Sequence, residues 1–212
     1  MWVTKLIPVL AILAAGSVRA ALPDYSGDQP KASTAEATAV FAGGCFWGVD
    51  AVFKHLKGVK NVVSGYSGGN AGTAKYMLVG TGTTGHAEAV KVTFDPSQIA
   101  YTDLMKVFFS VAHDPTELNR QGPDVGPQYR SAIFYANEQQ KELAQRYISQ
   151  LNAAKAFGKP VVTEVAALDK FYPAEDYHQN YLALHPNQPY IVYNDLPKLE
   201  ALKKQFPAWY RP

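Results

Sequence analysis

The 212-residue sequence contains a single cysteine, Cys45. One thiol excludes an internal disulfide and any zinc or iron–sulfur site that gathers cysteines within one chain. An excess of charge of one sign is also missing. Lys plus Arg number 20 and Asp plus Glu 18, and setting aside Lys5 and Arg19 in the N-terminal segment leaves 18 against 18. Without basic runs the chain lacks both the phosphate-neutralising charge of a nucleic-acid binder and a polybasic membrane patch, so neither partner is expected. The histidines, 55, 86, 113, 178 and 185, show no H-x-x-x-H spacing, and no metal site is expected. The glycine-rich stretches 65–72 and 80–85 hold no G-x-x-x-x-G-K-[ST] string and no dinucleotide fingerprint after the first strand, and they read as loop-formers. Apolar residues, by contrast, make up 47 % of the chain, enough for a core, and this excludes disorder for its bulk.

The N-terminus carries Lys5, an apolar run from Leu6 to Ala15, and then Val18-Arg19-Ala20, a small-x-small cleavage pattern. Leu6 to Val18 is 13 residues, whereas a membrane-spanning helix needs about 20. Residues 1–20 are therefore expected to be a cleaved secretory signal, with export to the periplasm, or secretion, and no membrane attachment afterwards. No cysteine follows the run, so lipid attachment there is excluded. Residues 21–36, rich in Pro, Gly, Ser, Asp and Lys, read as a flexible leader, and 37–212 as one domain with an irregular, aromatic-rich C-terminal tail.

Within the domain, Ala37 to Gly43 is a short apolar run ended by Gly43-Gly44, after which Val49, Val52, Phe53 and Leu56 recur at helical spacing up to Gly58. Val59 to Tyr66 predicts a second strand. In His86 to Phe94, Glu88, Val90, Val92 and Phe94 share one face and Ala87, Ala89, Lys91 and Thr93 the other, so a third strand is expected with Glu88 on its apolar side. Thr102 is placed to cap a helix carrying Leu104, Val107, Phe108 and Val111, which Asp114-Pro115 ends. Tyr129 to Tyr135 predicts a fourth strand, Asn137 and Gln140 a capping box for a helix bearing Leu143, Tyr147, Leu151 and Ala154, and Val161 to Ala167 a last strand. The order strand, helix, strand, strand, helix, strand is a split βαβ pattern. It predicts an α/β (α+β) fold, a ferredoxin-like sheet containing antiparallel strands with helices packed on it. The long loops 66–85 and 114–128 are where a site is to be sought.

Cys45 follows the Gly-Gly turn at the expected start of a helix, where free backbone N–H groups and the helix dipole favour an anion. The dipole is worth at most about 2 kcal/mol, which at about 1.4 kcal/mol per pKa unit brings a thiol from near 8.5 to about 7. A lone cysteine is more often buried and inert, although an idle thiol in an exported protein invites oxidation. Glu88, among Val90, Val92 and Phe94, is either desolvated, protonated near neutrality and able to donate a proton, or a strand-end carboxylate turned to solvent. Phe46 and Trp47, beside the cysteine, are either core or the walls of an apolar pocket.

Four strings, taken together, carry more than their parts. They are Gly43-Gly44-Cys45-Phe46-Trp47-Gly48, Thr83-Thr84-Gly85-His86-Ala87-Glu88-Ala89-Val90, the stretch from Gln121 to Ser131, and Phe171-Tyr172-Pro173-Ala174-Glu175-Asp176-Tyr177-His178-Gln179. In these the chain closely resembles the A-type family of peptide methionine-S-sulfoxide reductases, over roughly Val40 to Leu182. The resemblance implies that Cys45 is the nucleophile, that Phe46 and Trp47 wall the pocket for the substrate's S-methyl group, and that Glu88 protonates the sulfoxide oxygen. It further implies that Tyr76 and Tyr129 hydrogen-bond around that oxygen, and that Asp124 shapes the site. The activity implied is reduction of the S epimer of methionine sulfoxide, free or in proteins, leaving a Cys45 sulfenic acid. No bound cofactor is implied, and the reductant is a thioredoxin-like protein or a small thiol.

In one respect the chain departs from the family. Many members carry further cysteines near the C-terminus that resolve the sulfenic acid, and Leu182 to Pro212 has none. Regeneration is therefore expected to depend on external thiols, with the protein a monomer. Two other classes remain open on residues alone: a cysteine hydrolase using Cys45 with His86 or His178, and an exported module that holds peptides in the aromatic pocket without turnover.

Overall fold

The computed structural model describes residues 21–29 and 35–212. The expected signal, 1–20, and residues 30–34 of the leader lie outside the described residues. Strand β1 (Ala37–Gly43) leads into helix α1 (Phe46–Lys54), followed by β2 (Val59–Ser67), the single turn α2 (Tyr76–Val79), β3 (Ala87–Phe94) and α3 (Tyr101–Val107). A small hairpin, β4 (Arg120–Gln121) and β5 (Asp124–Val125), precedes β6 (Ser131–Tyr135), α4 (Glu138–Ala153), β7 (Glu164–Ala167) and β8 (Phe171–Pro173). Helices α5 (Tyr181–Leu184) and α6 (Leu196–Gln205) complete the chain.

Six strands form one mixed sheet in the order β7-β6-β1-β3-β2-β8. Every pairing is antiparallel except β6 with β7. β8 has no counterpart among the strands predicted from the sequence. The alternation along β1 and β3 sets the register, with Ala39 opposite Val92 and Phe41 opposite Val90. This puts Phe41, Val90, Val92, Phe94, Val62 and Tyr66 on the face that meets Val49, Val52 and Phe53 of α1 and Leu143, Tyr147 and Leu151 of α4. Phe41 stacks on Phe53 with ring centroids 5.0 Å apart. Each such fully buried side chain is worth about 1.5–3 kcal/mol. The other face carries small residues, Ala42, Ala87, Ala89 and Ala132, beside Val40 and Phe134, against which Ala166, Leu168 and Phe171 pack.

The structure corrects three local expectations. Thr102 does not cap α3: it lies inside the helix with its hydroxyl donating to Gln29 Oε1 at 2.8 Å. The cap is made instead by Asp103, whose carboxylate accepts the Ala100 N–H at 3.1 Å. The described part of the leader is docked, because Leu22 is buried in the main core and the Tyr147 hydroxyl donates to the Pro23 carbonyl at 2.8 Å. Lys106 also holds Asp24 at 2.6 Å. Composition alone made that segment look unbound, but the Leu22 anchor and the polar contacts of Pro23, Asp24 and Gln29 offset its ordering cost. The C-terminal tail, in turn, is largely helical, and Ile191 and Leu202 are fully buried. At the start of α4, Asn137 Oδ1 accepts the Gln140 N–H at 2.9 Å, while Gln140 Oε1 reaches the Ala136 N–H, one residue before the cap.

Candidate active site

The turn from β1 to α1 presents Cys45. Gly44 has φ +87°, where L side chains are strained, and a Cβ there would come within 2.6 Å of Gln121. The chain can therefore reverse tightly, and Cys45 becomes the residue preceding the first turn of α1. Its side chain is buried, at 8 % exposure. Glu88, on β3 opposite Tyr66 of β2, points from the core face toward the same helix end, and its Oε2 accepts the Phe46 N–H at 3.0 Å. One of the orphan donors of the helix N-terminus is thereby satisfied by a carboxyl rather than by a cap side chain.

Burial raises Glu88 from its ordinary value to about 8, opposed by the Phe46 hydrogen bond and reinforced by the charges of Asp124 and Asp195. At neutral pH this carboxyl holds its proton, as expected of a desolvated acid. Cys45 departs from the expectation. Burial, then the charges of Glu88 and Asp195, push its thiol well above the ordinary value, against the Trp47 backbone hydrogen bond and the Lys198 charge. The dipole of α1 acts at the helix terminus, but removing the sulfur from water outweighs it.

The remaining sequence candidates gather around this pair. Tyr76 opens α2, and its backbone N–H donates to Glu175 Oε1 at 2.9 Å. Its hydroxyl is raised to about 12 by burial and then by the charges of Glu88 and Cys45. Tyr129 ends a 3₁₀ turn before β6 rather than starting that strand; burial, Glu88 and Asp124 raise it also. Asp124, on β5, accepts a short hydrogen bond from the Tyr190 hydroxyl. Phe46 is fully buried, and its ring lies 5.1 Å from that of His178. Trp47 is partly buried, stacked on Tyr181 at 3.7 Å and 7°, with its indole N–H donating to His178 Nδ1 at 3.2 Å.

Residue-by-residue reading missed four groups. Tyr190 lies in the aromatic tail without periodicity to mark it, and both burial and the Cys45 charge raise its hydroxyl. Glu175 ties Tyr76 to Tyr66, whose hydroxyl donates to Glu175 Oε2 at 2.8 Å. Asp195 and Lys198, 3.1 Å apart, lie beside Gly48 in the first turn of α1. For the tail residues, the only sequence signal was the concentration of aromatic residues.

The two histidines that a hydrolase would need are otherwise engaged. His86 accepts the Gly69 N–H at 3.2 Å and has its other ring nitrogen 3.0 Å from the Asn70 carbonyl, and His178 holds Trp47. No imidazole is among the groups that set the ionisation of the sulfur. Among the described residues no group of three or more His, Cys, Asp or Glu could hold a metal ion, and no helix is long and apolar enough to cross a membrane. A buried thiol next to a protonated carboxylic acid, with tyrosine hydroxyls about it, is equipped for thiol-dependent reduction of a group whose oxygen must be protonated to leave.

The comparisons with known proteins agree with that class. The family model for peptide methionine sulfoxide reductase matches residues 37–209. A peptide methionine sulfoxide reductase, MsrA 2, of Mesorhizobium japonicum is 58 % identical over 180 residues, covering 85 % of this chain and 92 % of the relative. The MsrA 2 of Synechocystis is 51 % identical over 188 residues, covering 87 % of this chain and 88 % of its own length. Among solved structures, the reduced form of Mxr1 from Saccharomyces cerevisiae superposes with a TM-score of 0.66 at 33 % identity, covering 72 % of this chain and 87 % of that one. Methionine sulfoxide reductase A of Corynebacterium diphtheriae gives 0.62 at 34 % identity, with 74 % and 78 % covered. The chain belongs to the peptide methionine sulfoxide reductase family, A type, and is a peptide-methionine (S)-S-oxide reductase.

Proposed function

We propose that this protein reduces the S epimer of methionine sulfoxide, free or within proteins, by attack of the Cys45 sulfur on the sulfoxide sulfur while Glu88 gives its proton to the oxygen. The observation that carries the reading is the buried Glu88 carboxyl, pushed up to about 8 by burial, hydrogen-bonded at 3.0 Å to the N–H of the residue after Cys45. A sulfoxide oxygen is a poor leaving group until protonated, and a neutral acid does not repel an incoming thiolate. Two electrons pass from Cys45 to the substrate sulfur. The new S–S bond forms as the S–O bond breaks, the oxygen leaving as water with the protons of Glu88 and of the thiol. Water then adds to the Cys45 sulfur, returning a proton to Glu88, while the S–S electron pair goes to the substrate sulfur, so that methionine leaves and Cys45 carries a sulfenic acid. Phe46 and Trp47 wall the space for the S-methyl group, Tyr76 and Tyr129 donate hydrogen bonds near the oxygen, and Asp124, held by Tyr190, shapes the rim. The central strands β6-β1-β3-β2, with the crossings through α1 and α3, are read as the ferredoxin-like split βαβ unit that brings Cys45 and Glu88 to one sheet end.

Regeneration runs through external thiols. One thiol condenses with the sulfenic acid, releasing water and leaving a mixed disulfide on Cys45; a second attacks that disulfide and frees the thiol. A thioredoxin-like dithiol protein or a small thiol supplies both. Residues 1–20 are assigned as a cleaved export signal and 37–212 as a monomeric repair enzyme for oxidised proteins of the periplasm or exterior. A chiral assay on the two epimers of a methionine sulfoxide peptide, with a small dithiol as reductant, tests the class, the stereochemistry and the substrate together. Conversion of the S epimer alone is the expected result, and conversion of neither, or of the R epimer, overturns the reading.

A further inference from the structure

The C-terminal segment brings an ion pair to the helix that begins at Cys45. Asp195 is fully buried, with Oδ1 3.1 Å from Lys198 Nζ; the side chain of Lys198 is 18 % exposed. Asp195 Oδ2 is buried and has no hydrogen-bond partner among the described residues. Both groups press on the backbone of α1, since a Cβ at Gly48 would lie 2.1 Å from Asp195 Oδ1 and 2.7 Å from Lys198 Nζ. Gly48 is the third residue after Cys45, in the first helical turn, so the seat of the pair is within one turn of the sulfur. A buried carboxylate with one oxygen unpaired costs stability, and replacing such a pair by apolar residues is often neutral or better. Its presence against a glycine at the end of the sulfur's helix calls for a use.

We propose that Asp195 and Lys198 are positioning residues that set how readily the Cys45 sulfur becomes an anion, Lys198 favouring the anion and Asp195 opposing it. This rests on the reading of Cys45 as the attacking sulfur and extends it to the C-terminal segment, where the chain has no resolving cysteine. Opposite charges at one seat act in opposite senses on a third charge, and the interaction persists because the seat is largely shielded from water. The other groups acting on the sulfur are Glu88 from β3 and the Trp47 backbone N–H of α1. The Cys45 charge in turn acts on Tyr76 of α2, on Tyr129 before β6 and on Tyr190, and Asp124 of β5 lies against Tyr190. Glu88 is neutral until about pH 8, which leaves Asp195 and Lys198 as the side-chain charges acting on the sulfur over the neutral range.

The rate of Cys45 alkylation by iodoacetamide, followed against pH by mass spectrometry, tests this. Cys45 is the only cysteine, so the readout needs no turnover. Lys198→Met should move the alkylation midpoint up by about one pH unit, roughly a tenfold loss of rate below the midpoint. Asp195→Asn should move it down, and Lys198→Arg should leave it near wild type. A structural role for the pair would shift both charge-removing variants in the same direction, by loosening the segment and exposing the sulfur. That outcome, or no shift in either, overturns the proposal. Should Lys198→Met fail to fold, Asp195→Asn decides alone: a downward midpoint supports the proposal, and an unchanged or raised one overturns it. Failure of the underlying reading shows separately, as a Cys45→Ser variant that still reduces sulfoxide.

Discussion

Glu88→Gln isolates the proton that the proposed reduction needs. Gln has nearly the same shape and can still accept the Phe46 N–H that Glu88 Oε2 accepts at 3.0 Å, so the turn into α1 should be preserved. What it loses is an acidic proton. With Glu88 at about 8, about nine-tenths of the molecules carry the proton at pH 7, whereas a carboxyl at its ordinary value would carry it in about three of every thousand. Burial thus multiplies the donor-competent fraction by roughly three hundred, and removing a positioned general acid costs about 10²- to 10⁴-fold in rate. We expect Glu88→Gln to slow the sulfoxide step by that factor in single-turnover experiments at pH 7, measured by methionine release. The sign of the pH dependence follows from the same shift. The wild-type rate of that step should contain a limb that falls as pH rises through about 8, where Glu88 loses its proton, and the limb should be missing in the variant. A variant as fast as wild type at pH 7, or one that keeps the limb unchanged, would refute the assignment and point to Tyr76 or Tyr129 as donor.

Cys45→Ser should abolish reduction while leaving the circular dichroism spectrum and melting temperature near wild type, because serine keeps the size but is far less ionised; turnover by the pure variant would sink the mechanism. With one cysteine, recycling should be bimolecular, its rate rising with thiol concentration. One equivalent of sulfoxide without reductant should leave one added oxygen on Cys45 in a monomeric chain, and a turnover-competent dimer linked through two Cys45 sulfurs would contradict this. Gly48→Ala gains about 1 kcal/mol of helix propensity but forces a methyl group to 2.1 Å from Asp195 Oδ1, and overpacking of that kind costs about 1–3 kcal/mol. The midpoint of urea denaturation should fall, and an unchanged or higher midpoint would mean that the seat yields freely. Leu22→Ala should destabilise by roughly 2 kcal/mol or more if the docked leader belongs to the folded unit, and equal midpoints would show that it does not.

The pattern of the chain was enough to place β1, β2, β3, β6 and the helices α1 and α4, because periods of 2 and 3.6 are local properties that survive whatever the rest of the molecule does. It also put Cys45 at a helix start and Glu88 on the apolar side of a strand. Where neighbours in space decide, the sequence ran out. Thr102 looked like a cap, but the Gln29 side chain from the leader claims its hydroxyl. Cys45 looked activated by its helix, yet burial by the surrounding elements reverses the direction of its shift, since desolvation depends on everything packed about the sulfur and the dipole only on the helix itself. The aromatic tail had no period to read, and only folding brings Tyr190 to Asp124 and Asp195 with Lys198 to Gly48. The alternation of Glu88 with Val90 and Val92 was written in eight consecutive residues; the charges that help burial keep its proton on, Asp124 and Asp195, lie more than thirty residues away along the chain, and only tertiary packing could decide it.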